Sequence, residues 1–356
     1  MNNDFQHWSF RFLTSHFSLP TALAVALGLS LTTLGAARPS AQGSPASKPA
    51  RAAQVLGVGH FSPIVADLDR TVAFYRDVVG LEIATDPPST WDAEPWLRRL
   101  HGTPDWPIRF ATAKIPGATW GIEMVELKDP HRRPAQPRVR DPGACTVALL
   151  VRDFDAVYAR LQRAGAPVVS ANGKPVDFPE LHSRAIIVRD PDGHFVELVQ
   201  PSPLPETKAP ASANVIGGGM RIAVQSVDRA LGLFRDRFGM PFDGGKVFDS
   251  KSFVDLMGPT GGKARIGTAT LPDGRLFEFA EYQGVNRSPL MTRIEDPGST
   301  RFQLIVNDLD VALAAFKSAG GKIVSLGGEP IVENGQRYAL VRDANGVFFV
   351  VWNGRS

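Results

Sequence analysis

The apolar positions of this chain fall into a pattern that recurs four times. A β-rich run ends in an Asp-containing turn, and a helix-spaced stretch follows. The copies read VADLDRTVAFYRDVVGLEI from 65, VRDFDAVYARLQRAGAPVV from 151, VQSVDRALGLFRDRFGMPF from 224 and VNDLDVALAAFKSAGGKIV from 306. In the first copy Leu68, Val72, Tyr75 and Val79 repeat at the interval that lays one apolar stripe along a helix. Asp67 and Asp153 stand where an N-cap oxygen is needed to accept from free N–H groups of the first turn. Gly80, Gly165, Gly239 and Gly320 stand where the helices close.

Beyond each helix the period changes to that of strands. The turns IPGA at 115, DPDG at 190, LPDG at 271 and DANG at 343 each lead into a last strand: WGIEMVEL, HFVELVQ, RLFEFAEY and VFFVVW. Gly/Asn/Asp turns of this kind join antiparallel strands. A further repeat, DPGACTVALLV at 141 and DPGSTRFQLIV at 296, ties the two halves together. Each module is therefore βαβββ. One module cannot bury both faces of its sheet, so modules must pair. Sequence order predicts that one pairs with two and three with four. The expected architecture is α+β: four βαβββ modules forming two cup-shaped mixed sheets, residues 55–200 and 215–353, joined by the linker PSPLPETKAPASAN at 201–214.

With 356 residues, 43% hydrophobic and 21% charged, the composition is that of a globular protein with room for about two domains. The net charge of +3 is spread without a basic run, which argues against a nucleic-acid partner. A single cysteine, Cys145, excludes an intramolecular disulfide. With no base identifiable for it, Cys145 reads as a packed small residue and not a nucleophile. Arg11 is followed by an uncharged stretch through Ala37, with small residues near Ala37 and Ala41. That is the form of a secretory signal over 1–37, followed by a flexible Ala/Ser/Pro leader over 38–54. The expected location is exported, periplasmic or secreted. The competing reading of the same stretch is an uncleaved membrane anchor; no later stretch is apolar enough to span.

A module with VADLDRTVAFYRDVVG after its first strand and DPDGHFVELVQ at its end resembles the vicinal oxygen chelate superfamily, and the resemblance runs over about residues 53 to 353. That superfamily includes glyoxalase I, extradiol dioxygenases, methylmalonyl-CoA epimerase, fosfomycin resistance enzymes and metal-free bleomycin-binding proteins. The resemblance implies a divalent ion inside a cup, held by the first and last strands of two paired modules. Carried onto modules one and two, the four positions are His60, Glu123, Thr146 and Glu197. His60, Glu123 and Glu197 are then expected ligands of one Mn²⁺, Fe²⁺, Ni²⁺, Co²⁺ or Zn²⁺ ion per chain. Thr146, where His is common in the metalloenzymes, is expected to line the substrate pocket. Glu123 or Glu197 is the expected general base of a lyase or isomerase. In modules three and four the same positions are Gly219, Glu278, Arg301 and Val350. The second half therefore reads as a degenerate site in which Glu278 and Arg301 are free to pair.

Strand parity sharpens this reading. Gly121, Glu123, Val125 and Leu127 share a face, as do Phe195, Glu197 and Val199, while Glu126 and His194 point away, expected toward solvent. A carboxylate among apolar neighbours must be paired or metal-bound. Extradiol cleavage would need a second histidine beside His60; His101, His131 and His182 are candidates by proximity in sequence, but as loop residues they are expected to be solvated. The insertion PPSTWDAEPWLRRLHGTPDWPIRF at 87–110 carries Trp91, Trp96 and Trp106, expected either as an apolar lid on the cup or as a satellite core. Two functions follow: a metal-dependent lyase or isomerase acting on a small oxygen-chelating, possibly apolar molecule, or a metal-free protein that sequesters such a molecule. A monomer suffices for either, and a homodimer is compatible.

Overall fold

The computed structural model describes residues 53–354, apart from 86, 93, 130, 260 and 261. The expected signal over 1–37, and all but the end of the leader, lie outside the described residues. Among the described residues no helix is long and apolar enough to cross a membrane.

Module one comprises β1 (Val55–Val65), α1 (Leu68–Ala73, prolonged by a π-helical turn Phe74–Val79), α2 (Trp96–His101), β2 (Ile108–Lys114) and β3 (Gly121–Leu127). Module two comprises β4 (Cys145–Val151), α3 (Phe154–Arg163), β5 (Val176–Phe178), β6 (Ser183–Arg189) and β7 (Phe195–Pro201). Module three comprises β8 (Val215–Ala223), α4 (Val227–Phe234), β9 (Lys246–Phe248), α5 (Lys251–Leu256), β10 (Lys263–Thr270) and β11 (Leu276–Gln283). Module four comprises β12 (Thr300–Val306), α6 (Leu309–Ser318), β13 (Lys322–Ile323), β14 (Ile331–Glu333), β15 (Gln336–Arg342) and β16 (Phe348–Asn353). The helix boundaries follow the sequence signals. Asp67 accepts from Arg70 N, and Asp153 from Ala156 N, each at 3.0 Å. All four closing glycines adopt positive φ.

The modules do not pair in sequence order. β1 runs antiparallel to β12, and β4 antiparallel to β8. One mixed eight-stranded sheet therefore joins module one to module four, and the other joins module two to module three. Residues 55–200 and 215–353 are not separate cups; each contributes half of both. The seams explain the choice. Across the first, Phe61 faces Phe302 and Val58 faces Leu304, so apolar side chains match on one face. Across the second, β8 is glycine-rich. A Cβ on Gly218 would run into the carbonyl oxygen of Ala148, so that strand spacing requires glycine there.

Sequence neighbours are joined by a different device. The DPDG turn of module two grips the start of α1. Asp192 accepts from Ala66 N at 2.8 Å and from the Thr71 hydroxyl at 2.6 Å, while the Tyr75 hydroxyl donates to Asp190 at 3.1 Å. The matching turn of module four uses Asn345, whose Oδ1 accepts from Gln225 N at 2.9 Å just ahead of α4. The repeated turn is thus a clamp on the preceding module's helix. One continuous apolar core holds these helices against one face of each sheet. Phe234 stands at its centre, with rings of Phe277 and Phe279 from one sheet and Phe349 from the other around it.

Candidate functional site

The first cup is the concave face of the sheet shared by modules one and four. Strand alternation brings Ser62 of β1, Glu123 of β3, and Arg301 and Gln303 of β12 onto that face. Glu123 Oε2 accepts from Ser62 Oγ at 3.0 Å, Arg301 Nη2 at 2.7 Å and Gln303 Nε2 at 3.1 Å. Burial raises the carboxyl's pKa, but Arg301, His60 and the hydrogen bonds outweigh it and hold Glu123 below its usual range. His60 has its pKa lowered, chiefly by burial, with Glu123 opposing and Arg275 and Arg301 adding to the effect. Three buried polar atoms of this cup have no hydrogen-bond partner among the described residues: His60 Nδ1, Arg301 Nε and Gln303 Oε1. Val350, the aligned counterpart of Glu197, lies beside Gln303.

The 87–110 insertion closes part of this cup. Its helix α2 places Trp96 on Tyr338 at 5.0 Å and pairs Arg99 with Glu333 at 2.9 Å, both in module four. The three tryptophans do not assemble. Only Trp96 enters the cup; Trp91 lies half exposed beneath Arg109 and Lys128, and Trp106 meets the exposed His131 edge-on.

His101, expected in solvent, is buried at the end of α2. Its Nδ1 lies 2.7 Å from Leu97 O and its Nε2 2.6 Å from Arg301 Nη1. A carbonyl can only accept and a guanidinium only donate, so Nδ1 carries the proton and the ring is neutral. Burial, then Arg301, bring its pKa to about 3. Because the folded value lies below the unfolded value of about 6.5, the unfolded chain binds this proton first. Stability is lost as pH falls below about 6.5, at about 1.4 kcal/mol per pH unit for one site. Urea titrations from pH 7 to 5 should show a slope shallower by one proton in His101→Gln. An unchanged slope would remove His101 from the acid response.

The second cup, shared by modules two and three, is built differently. Arg221 of β8 lies between two carboxylates, with Nη1 donating to Glu197 Oε2 and Nε to Glu278 Oε2, both at 2.8 Å. Burial lowers the Arg221 pKa, yet Glu197 and Glu278 carry it well above the ordinary arginine value. Thr146 lies opposite Arg221 across the seam. Helix α5 fills the far end, where the Tyr282 hydroxyl contacts Met257 Sδ at 3.1 Å; burial pushes that phenol up to about 12.

The expected metal set is therefore split. His60 and Glu123 belong to the first cup, Glu197 and Thr146 to the second. Among the described residues no three His, Cys, Asp or Glu side chains come together as a ligand set. Glu123 in the first cup, and Glu197 and Glu278 in the second, are instead bonded to a guanidinium, whose charge opposes a dication and occupies an oxygen the ion would need. These residues do not fit the expected ion. The expected Glu278–Arg301 pair is also absent, because the two residues lie in different sheets. Glu126 and His194 are buried and not solvated. Glu126 accepts from Leu68 N at 3.0 Å and pairs with Arg109, while His194 Nε2 lies 3.0 Å from Ser299 O. Cys145 is buried, which pushes its thiol up, and His182 is exposed. Sequence reasoning missed Ser62, His101, Arg221 and Gln303. Alternation along DPGSTRFQLIV does put Arg301 and Gln303 on one face, so that part of the signal was present.

With this geometry in view, the comparisons define the class. The model of the Glyoxalase/Bleomycin resistance protein/Dioxygenase superfamily matches residues 57–198. The chain belongs to that superfamily. A 2-epi-5-epi-valiolone epimerase from Actinomyces sp is 30% identical over 153 residues, which is 40% of this chain and 79% of that protein. Among solved structures, glyoxalase I from Zea mays superposes with a TM-score of 0.54 at 17% identity, covering 85% of this chain and 92% of that one. A putative dioxygenase from Bacillus subtilis gives 0.51 at 12% identity, covering 85% and 86%. The structural likenesses establish the glyoxalase-like α+β fold.

Proposed function

We propose that the first cup is the working site of an isomerase- or lyase-type enzyme that acts on a small oxygen-bearing molecule, and that the first 37 residues export the chain. The observation that carries the reading is the buried, unpartnered His60 Nδ1 on the same cup face as an ionised Glu123–Arg301 pair. A neutral imidazole can take a proton from a carbon beside a carbonyl. The electron pair of that C–H bond moves onto the carbonyl oxygen, and we assign the developing charge to Arg301 Nε, a buried donor with no partner among the described residues. Delivery of a proton from water to the opposite face, with the imidazolium releasing its own proton to solvent, gives an epimer; departure of a neighbouring leaving group, protonated by the imidazolium, gives a lyase product. The epimerase among the relatives supports this class. The reading drops the metal expected from the resemblance, because its ligands do not converge.

The second reading is a protein that holds a small molecule without changing it. It is favoured by Glu123 and Glu197 both being bonded to arginines already, which leaves neither carboxylate free to act as a base. The two part cleanly in one experiment. Small hydroxyketones, oxoacids and cyclitol ketones are ranked by thermal shift, and the hits are incubated in D₂O and followed by proton NMR. An enzyme exchanges a carbon-bound proton, and His60→Gln slows that exchange by about 10²- to 10⁴-fold while leaving the thermal shift in place. Binding without exchange in any hit would establish the sequestering protein instead.

A further inference from the structure

We infer that an arginine takes the place of the divalent ion in both cups, so that the chain works without a metal and presents a guanidinium to its ligand. This goes beyond the proposed reaction and does not require turnover. The two arginines are not copies of one repeat position. Register sets Arg301 opposite Ser62, whereas Arg221 lies opposite Thr146, two residues farther along its own strand from Gly219, the counterpart of Arg301. Two different positions have nevertheless delivered the same arrangement.

In the first cup Arg301 Nη2 lies 2.7 Å from Glu123, and its side chain is 4% exposed. In the second Arg221 bridges Glu197 and Glu278 at 2.8 Å each, with 12% exposure. A buried carboxylate requires a positive partner, and here a fixed one is supplied by the fold. A dication placed among the same oxygens would lie against a buried guanidinium, where screening by water is weak. The first cup also retains an unused donor, because Arg301 Nε is buried without a partner among the described residues. That N–H is where we place a ligand oxygen, from a carbonyl or a carboxylate.

The test uses the full chain after chelator treatment, with Mn²⁺, Ni²⁺ and Zn²⁺ each added alone and melting followed. Wild type and Arg301→Lys should not respond beyond a buffer control. Arg301→Gln removes the fixed charge from Glu123, so a metal should raise its melting temperature by several degrees. Glu123→Gln/Arg301→Gln, with both charges removed, should lose that response. A metal response in the wild type overturns the inference, because Arg301 is then not the charge the cup uses. No response in Arg301→Gln also overturns it, because the arginine then fills no position an ion could take. Should Arg301→Gln not fold, elemental analysis of the wild type decides: about one equivalent of bound metal, whether or not His60→Gln loses it, refutes the inference, and its absence upholds it. This outcome is independent of proton exchange, so the reaction and the metal-free cup can fail separately.

Discussion

Arg301→Ala lowers the unfolding free energy by about 3 kcal/mol, because it strands Glu123, whose side chain is only 16% exposed, as a charge without a counter-ion. Three donors converge on Glu123 Oε2, and Ser62 and Gln303 remain after the arginine is gone. They are neutral and do not replace its charge. The reverse change, Glu123→Ala, strands Arg301 beside the neutral His101 and should fall in the same range. The double variant should lose less than the sum, with a coupling of about 1–3 kcal/mol, since neither stranded charge survives in it. Urea unfolding of the four proteins measures this directly. Additive losses would mean that the two side chains do not sense each other, and the first cup would have to be redrawn.

Phe234→Ala should lower stability by about 3–5 kcal/mol through the cavity it leaves. More informative is which parts of the molecule respond. Phe234 packs on Phe277 and Phe279 of one sheet, on Phe349 of the other, and on Phe316 of α6. Loss at this point should therefore loosen both cups together. Hydrogen exchange should show matching losses of protection in β11 and β16. A loss confined to β11 would show that the sheets are energetically separate despite their shared core.

The fold was legible because the physics behind it is local. Helix stripes, N-cap aspartates, closing glycines and turn residues are each set within a few neighbours, and the repeat multiplied every signal by four. The partner of each module was not legible in the same way. Adjacent modules are held by clamps such as Asp192 on Ala66 N, while sheet seams link modules one with four and two with three. Both devices are consistent with short linkers, and neither leaves a periodicity. Once the pairing was misassigned, site reasoning split one apparent ligand set across two cups. Family position put His60 and Glu123 in the same module, and both strands that carry them lie in the sheet shared by modules one and four. Their true neighbours, Arg301 and Gln303, lie in a part of the chain that resembled a vestige. Likewise, nothing local marked His101 as buried, because its burial depends on α2 reaching across to β15 of another module.

The nested seams also limit which strands can pair while the chain is still being made. β1 leaves the ribosome early, yet its seam partner β12 comes from the last module, and the first cup is closed only when that module is made. Modules two and three, adjacent across the 201–214 segment, can meet first and offer a finished sheet on which the ends close. Until then, β1 is an open edge with apolar residues on it, a form of strand prone to wrong pairing. Contacts of such long sequence separation favour slow folding. The same nesting means that a chain cut between β7 and β8 yields two fragments with no complete cup in either, and both cups return only when the fragments associate.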